Sequence, residues 1–381
     1  MIREISPPPV KRRRIHHEAV QAEPVAPAPP APPPPAFEAS STTCMRVFSW
    51  NINGISPFLQ QPITNYFSKP KSNASIDDNR TPAPASLRAF LHRHSWPAVL
   101  FLQEVKISSQ DFKTQDAVRS ASNENLSSEE SAAAKGPAYK AYFTLPQDPH
   151  NARGLRGNGK VYGVCSIIRS DILTRFETKV RTVDRDKEGR VSVVELIGAS
   201  SKFAIFNIYA VNGTENPYRS SKGAILGTRH DRKLAFHRLL MEECIKLEKE
   251  GWHTLLMGDM NVAPDARDGY PTLRMFPHQH ALNRADFNAR FLGGTANDVE
   301  ARFDGIDVWR KIHGDQRGYT YYPRGRPWGS SCDRVDYAIV GRKSWDEGYV
   351  KDAGILDNEY ERGPSDHVPI WIDIYLEPNS K

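Results

Sequence analysis

The sequence predicts one large layered domain of the α/β or α+β class that follows a proline-rich tail. Three features predict it: short apolar runs of strand composition recur from Cys44 onward, helical patterns separate several of them, and proline is concentrated near the N-terminus. At 381 residues the chain is long enough to bury a substantial core.

Residues 1–43 are predicted to form a disordered tail. They carry eleven of the 29 prolines and too few apolar side chains to offset the entropy lost on ordering. The basic cluster KRRR at 11–14 is typical of nuclear-import signals, with a phosphate-binding arm and a solvated charge run as alternatives. We therefore expect a nuclear protein, and mitochondrial residence is the other compartment to test.

Composition and charge narrow the class of protein. A formal charge of +6 and a pI near 9.0 permit a polyanionic partner such as DNA without requiring one. No apolar run approaches the roughly 20 residues of a membrane span, so we expect no membrane association. The four cysteines are widely spaced, so we expect reduced thiols and neither a zinc site nor disulfides.

Alternation or short continuous runs of apolar residues predict the strands of the domain, which we place at 44–381. The predicted strand segments are MRVFSWNI (45–52), AVLFLQEV (98–105), KFAIFNIYAVN (202–212), HTLLMGDMN (253–261), DRVDYAIV (333–340) and HVPIWIDIYL (367–376). The segment at 231–250 has a helical pattern. Two segments with loop composition, near 60–85 and 107–136, are predicted to be loop insertions.

Polar side chains recur at the ends of these predicted strands. Asn51 and Asn53 end the first, Glu104 the second, and Asp259 and Asn261 end the HTLLM strand. Side chains two apart on a strand point the same way, so each pair shares a face. A strand-terminal Asp or Asn is commonly a turn residue, and only the recurrence favours a functional site.

Two further segments complete the set. Asp336 lies within an apolar strand pattern, and Asp366 and His367 come directly before the last predicted strand. His367, if Asp336 holds its other ring nitrogen, would stay protonated and stabilise negative charge on a phosphoryl oxygen.

The remaining polar residues fit metal-assisted hydrolysis. Glu104, Asp366 and an asparagine carbonyl are hard oxygen ligands of the kind that magnesium prefers, and clustered Cys or His residues typical of zinc are missing from the sequence. Asp259 beside Asn261 would orient and deprotonate a water molecule. The sequence therefore predicts a metal-dependent phosphodiester hydrolase.

A set of ordered motifs carries a family resemblance. From residue 45 to 376 these are SWNING, FLQEVK, YGV, EGRV, NIYAVN, GDMNVA, DVWR, YTYYPR, DRVDY and PSDHVPI. In this order they resemble the exonuclease III and class II abasic-site (AP) endonuclease family of the DNase I-like endonuclease/exonuclease/phosphatase superfamily. The resemblance implies a four-layer α/β sandwich, with two packed mixed sheets, helices outside, and the site at one edge.

The resemblance also implies roles for individual residues. The metal, Mg²⁺ with Mn²⁺ as an alternative, would be held by Glu104 with help from Asn53, Asn51 and Asp366. In catalysis, the resemblance gives roles to Asp259, Asn261, Tyr209, Asp336 and His367. In substrate binding, it points to Asn212, Tyr321 and Arg190.

The sequence departs from the family pattern at the substrate pocket. The family's YVPN reads YAVN, and the aromatic residue that usually precedes the R-x-D arginine is Asp333. A carboxylate at this wall would repel DNA. Tyr321 keeps an aromatic residue on another wall, and we consider Trp328 as a substitute for the missing one.

These features lead to one preferred hypothesis and three alternatives. We expect a monomeric magnesium-dependent DNA-repair nuclease that cuts duplex DNA 5′ to abasic sites and trims blocked 3′ ends. Basic residues of the predicted DNA-binding surface would be Arg153, Arg156, Lys160, Arg324 and Arg326. The alternatives are an exonuclease or related phosphodiesterase without strong abasic specificity, a catalytically silent nucleic-acid-binding module, and a small-molecule phosphatase.

Overall fold

The computed structural model describes residues 43–59, 85–124, 136–152, 162–293 and 301–377. The strands are β1 Cys44–Asn51, β2 Val99–Gln103, β3 Tyr139–Thr144, β4 Val164–Arg169, β5 Glu177–Thr182, β6 Val191–Ile197, β7 Lys202–Tyr209, β8 Pro217–Arg219, β9 Ile225–Thr228, β10 His253–Asp259, β11 Gly269–Tyr270, β12 Gly305–Asp307, β13 Cys332–Asp333, β14 Asp336–Gly341, β15 Val350–Ile355 and β16 Ile370–Tyr375. The α-helices are α1 Leu87–Arg93, α2 Phe112–Ser122, α3 Ser170–Arg175, α4 Arg229–Lys249, α5 Gln279–Phe291, α6 Val308–His313, α7 Arg342–Asp346 and α8 Glu359–Arg362.

Two six-stranded mixed sheets form the centre of the molecule. The first has the order β15-β16-β1-β2-β4-β3 and the second β12-β14-β10-β7-β6-β5. In each sheet one central pair is parallel, β1 with β2 and β10 with β7, while the flanking pairs are antiparallel. The sheets pack face to face with helices outside, which confirms the predicted four-layer sandwich.

Strand β1 shows how the sequence pattern produces these layers. Val47 faces the second sheet, whereas Phe48 and Trp50 face outward onto helix α1. Successive side chains of a strand point to opposite faces, so Asn51 ends the inner face among the buried residues between the sheets. Burying each large apolar side chain stabilises such a core by about 1.5–3 kcal/mol.

Three predictions about the ends and insertions of the domain have different outcomes. The tail at 1–42, most of the insertion near 60–85 and part of the one at 107–136 lie outside the described residues. The prediction of a loop is wrong for Phe112–Ser122, which form helix α2. Asp111 caps this helix by accepting the Thr114 N–H, and Val118 packs under the first sheet.

No helix in the described ranges is long and apolar enough to cross a membrane.

A buried ion network explains why the motifs DVWR and R-x-D occur together. Arg334, which is 1% exposed, donates through Nε to Asp268 at 2.7 Å and through Nη2 to Asp307 at 2.6 Å. Arg310 donates to the same Asp268 at 2.6 Å. These charge-assisted bonds fix the start of β14, where Asp336 lies two residues beyond Arg334.

A second ion cluster ties helix α8 to helix α1. Arg93 donates to both carboxylate oxygens of Glu361 at 3.1 and 2.9 Å, and the ring of His94 lies 3.2 Å from the same carboxylate. Burial would raise the pKa of Glu361, but the His94 and Arg93 partners outweigh it and lower the pKa to about 2. Helix α8 directly precedes the loop that carries Asp366 and His367.

We expect this cluster to stabilise the fold in a pH-dependent way. The pKa of Glu361 falls from an ordinary 4.5 to about 2, so its stabilisation is complete above pH 4.5 and is lost as pH falls toward 2. Replacing Glu361 by Gln should cost about 3 kcal/mol at neutral pH. Urea unfolding of wild type and Glu361→Gln from pH 7 to pH 2.5 measures this, with Glu359→Gln as the exposed control; a pH-independent difference would contradict it.

Candidate active site

The site begins where the central strands of the two sheets end. Asn51 is the last residue of β1 and Asp259 the last of β10, and both lie on inner faces. The Asn51 Nδ2 donates to Asp259 Oδ2 at 3.0 Å, which joins the two sheets at one edge. Residues at strand ends on facing sheets are therefore brought together, as the sequence pattern predicted.

The two strand ends are built alike. The backbone N–H of Asn53 donates to the side chain of Asn51 at 3.0 Å, and that of Asn261 donates to Asp259 at 2.8 Å. Asn53 and Asn261 both have φ of 52°, in the left-handed region that Asn tolerates better than most residues. Each turn projects a second polar side chain beside the first.

Asp259 is placed to act as a base. Its side chain is 2% exposed. The preceding residue is Gly258, and only glycine fits there because a Cβ would lie 2.0 Å from the carbonyl oxygen of Ile208. Burial and the nearby Asp336 carboxylate raise the pKa of Asp259 to about 7. A carboxylate with a pKa near neutrality suits the removal of a proton from water.

Asp336 and His367 form a hydrogen-bonded pair. In the sheet register Asp336 lies opposite Asp259, and its Oδ2 is 2.7 Å from His367 Nδ1. Burial alone would lower the pKa of His367, but Asp336 outweighs it and raises the pKa to about 10. The imidazolium ring therefore carries a positive charge near neutral pH and can stabilise an anionic oxygen.

Two buried hydroxyl groups that sequence reasoning missed hold this pair in place. The Thr320 Oγ1 accepts the N–H of Asp336 at 3.0 Å, and its carbonyl accepts the N–H of Val368 at 2.8 Å. The Ser365 Oγ accepts the N–H of His367 at 3.0 Å and donates to the Asn51 carbonyl at 2.5 Å. Thr320 is next to Tyr321 in the motif YTYYPR, and Ser365 is next to Asp366 in PSDHVPI. This proximity to predicted site residues is the only feature of the sequence that points to them.

Glu104 lies near the ends of the sheets, and Lys106 connects its carboxylate to an amide oxygen of Asn53. The Glu104 Oε1 accepts the Tyr209 hydroxyl at 2.5 Å and faces Asn51 Nδ2 at 3.4 Å, while Asn53 and Asp366 lie at the same end of the sheets. Burial and the Glu104 carboxylate raise the pKa of Tyr209, so its hydroxyl stays a donor. Carboxylate and amide oxygens fit Mg²⁺ or Mn²⁺, as predicted for these residues.

A second grouping of possible ligands also occurs. Asp259, Asp336 and His367 each bring one ligand atom within 4.8 Å of the others. However, His367 is positively charged and its Nδ1 is engaged by Asp336, so the ring is a poor metal ligand. Asp259, Asp336 and His367 are therefore better suited to proton chemistry, and Glu104 stays the predicted metal ligand.

The cleft beside these groups is polar on nearly every side. Its lining residues are Glu104, Tyr209, Asn212, Lys233, Asp259, Asn261, Val262, Ala263, Arg274, His280, Asn283, Arg284, Tyr321, Asp333, Val335, Asp366 and His367. Tyr321 packs 5.0 Å from the ring of His367, as expected for a wall of the pocket. Burial raises the pKa of Asp333, with Arg274 and Arg284 opposing the shift.

Two predicted substrate-binding residues do not reach this cleft. Arg190 is 1% exposed and donates to the carbonyl oxygens of Tyr209 and Ala210 at 3.1 Å, so it supports the end of β7 from behind. Trp328 stacks on Tyr322 with ring centroids 3.7 Å apart, against the core between the sheets. The prediction of substrate contact is wrong for Arg190, and Trp328 does not replace the aromatic wall.

Lys233 is a site residue that the sequence did not reveal. It lies on α4, is 2% exposed, and donates to the Asn261 carbonyl at 2.6 Å. Burial lowers its pKa to about 7, opposed by Asp259. Nothing in the pattern of a helix distinguishes a buried lysine from an exposed one.

The predicted DNA-binding cations have mixed outcomes. Arg153, Arg156 and Lys160 lie outside the described residues. Arg324 donates to the carbonyl oxygens of Ser365 and Gly363 at 2.8 and 2.6 Å, so it also supports the His367 loop.

Comparison with known proteins agrees with this geometry. The profile described as the endonuclease/exonuclease/phosphatase family matches residues 48–367. The chain belongs to this family. The match confirms the DNase I-like superfamily predicted from the motifs, and together with the site it indicates a phosphate-ester hydrolase of the nuclease or phosphodiesterase type. No curated protein matches the sequence.

Several solved structures share the fold. An AP endonuclease of Leishmania major has a TM-score of 0.59 at 18% identity, covering 87% of this chain and 88% of its own. The catalytic domain of APE2 from Xenopus laevis has a TM-score of 0.55 at 17% identity, covering 88% and 94%. A 3′ phosphatase from Neisseria bound to a product DNA hairpin has a TM-score of 0.51 at 15% identity, covering 86% and 98%.

The Asp336–His367 pair gives a prediction for this family member. Asp336→Asn should lower kcat toward bis(p-nitrophenyl) phosphate by about 100-fold or more, because the amide no longer holds a charged imidazolium. Steady-state hydrolysis of wild type, Asp336→Asn and the exposed control Asp184→Asn measures it. A normal kcat in Asp336→Asn would show that the pair is structural.

Proposed function

We propose that this protein is a divalent-metal-dependent DNA-repair phosphodiesterase that incises DNA 5′ to abasic sites and removes blocked 3′ ends. The observation that carries the proposal is the convergence of Asp259, His367 and Glu104 on one cleft at the joined ends of the two sheets. The similarity in fold to AP endonucleases and to a DNA-bound 3′ phosphatase supports DNA as the substrate.

The side chains have separate tasks in this reaction. Asp259 takes the proton of the attacking water, and Asn261, whose Nδ2 lies 3.2 Å from Asp259 Oδ2, orients that water. His367, held by Asp336, stabilises the negative charge that develops on the phosphoryl oxygen. Glu104 and Asn53 would hold the metal, which supplies Lewis-acid stabilisation of the phosphate when bound.

The remaining residues bind and orient the substrate. Asn212 is exposed at the rim of the cleft and offers an amide N–H to a phosphate oxygen. Tyr321 presents an aromatic face on which a sugar or base can pack. The basic cluster at 11–14 leads us to propose nuclear residence, where such a substrate occurs.

A duplex with one tetrahydrofuran abasic analogue tests the proposal. We expect incision 5′ to the analogue in Mg²⁺, with no incision in EDTA and a loss of at least about 1,000-fold in Asp259→Ala because the base is removed. Gel analysis of the labelled strand measures it, with Asp184→Ala as the control. Inactivity of the wild type on this duplex and on recessed 3′ ends would refute the proposal.

Asp333 favours a second candidate, a 3′ to 5′ exonuclease with weak abasic activity. The carboxylate lies in the cleft wall where the family has an aromatic residue, and Trp328 does not fill that place. The Asp333 carboxylate repels the DNA phosphates that flank an extruded abasic sugar. It can accept hydrogen bonds from an undamaged nucleotide's base, which an abasic sugar lacks.

Removing this charge should separate the two candidates. Asp333→Asn keeps the shape and should raise the ratio of abasic incision to release of undamaged 3′ nucleotides by about tenfold. The ratio of kcat/KM on the two duplexes measures it, with Asp315→Asn as an exposed control. An unchanged ratio would show that Asp333 does not set specificity.

A further inference from the structure

Lys106 contacts the oxygen atoms of Glu104 and Asn53 that the proposed function assigns to the metal. Its Nζ is 3.1 Å from Glu104 Oε2, 2.5 Å from Asn53 Oδ1 and 3.2 Å from the Asn53 carbonyl oxygen. The ammonium group donates hydrogen bonds to both Asn53 oxygens and forms an ion pair with Glu104, so one cation engages all three oxygens. Carboxylate, amide and carbonyl oxygens are also the ligand types of a hard divalent cation.

Three residues of this arrangement have an unfavourable backbone conformation. Asn53, Glu104 and Lys106 all have left-handed φ, of 52°, 51° and 55°. Such a conformation costs roughly 1–3 kcal/mol in a residue other than glycine, and it persists where the surroundings enforce it. The turn after β2 thus directs the side chains of both Glu104 and Lys106 to the end of β1.

We propose that Lys106 is an intrinsic counter-cation that competes with the metal for Glu104 and Asn53. The ammonium neutralises Glu104 and repels a divalent cation placed on the same oxygens, so metal binding requires that it be displaced or that this repulsion be overcome. Its side chain is 32% exposed, so it has a path to solvent and to a phosphate of the substrate. Lys106 therefore weakens metal binding by the free protein; the inference rests on the proposed metal site.

Metal binding to the free protein tests this directly. Calorimetry with Mg²⁺ and electron paramagnetic resonance with Mn²⁺ are compared for wild type, Lys106→Met, Lys106→Arg and the exposed control Lys113→Met. We expect Lys106→Met to bind either metal at least about tenfold more tightly, because its thioether chain keeps the volume without the charge. Lys106→Arg and Lys113→Met should stay within about threefold of wild type.

The outcomes separate this inference from the proposed function. Tighter metal binding in Lys106→Met supports the inference even if neither protein cleaves DNA, in which case only the proposed function fails. Equal or weaker binding in Lys106→Met, or a gain of the same size in Lys113→Met, overturns it. Circular dichroism melting of each variant establishes that a folded protein was measured.

Discussion

The hydrogen bond from Asn51 to Asp259 is the constraint on which the site depends. It connects β1 with β10, so it fixes how the ends of two separate sheets face each other. Each strand brings its own neighbours to this edge: β2 brings Glu104, and β14 brings Asp336 directly opposite Asp259. A one-residue slip of either strand would turn these side chains to the other face.

The charges at this edge are only partly balanced, and each is costly to bury. Asp259, Asp336 and Glu104 meet the cations His367 and Lys106. The raised pKa of Asp259 shows the imbalance that remains, because a carboxylate next to another carboxylate in a dry site resists ionisation. Replacing such groups by apolar ones is often neutral or stabilising, so this arrangement is expected to serve chemistry rather than stability.

The sequence predicted those features of this site that a strand pattern encodes. Period-two alternation places Asn51 and Asp259 on inner faces at strand ends, so their meeting could be predicted. The pattern carries no information on depth or on packing between distant segments. Arg190 therefore looked like a substrate ligand although it is buried behind Tyr209, and Trp328 looked free although it stacks on Tyr322.

Backbone conformation shows how the site is held ready. Among the described residues other than glycine, six have left-handed φ, and four of these are Asn53, Glu104, Lys106 and Asn261. Each follows the end of a central strand, where the chain must turn sharply while keeping a polar side chain near the site. Asn tolerates this conformation, but Glu and Lys do so at a cost, which hydrogen bonds of their side chains offset. The polar groups are thus oriented by the fold itself, and little reorganisation is required when charge develops on the phosphate.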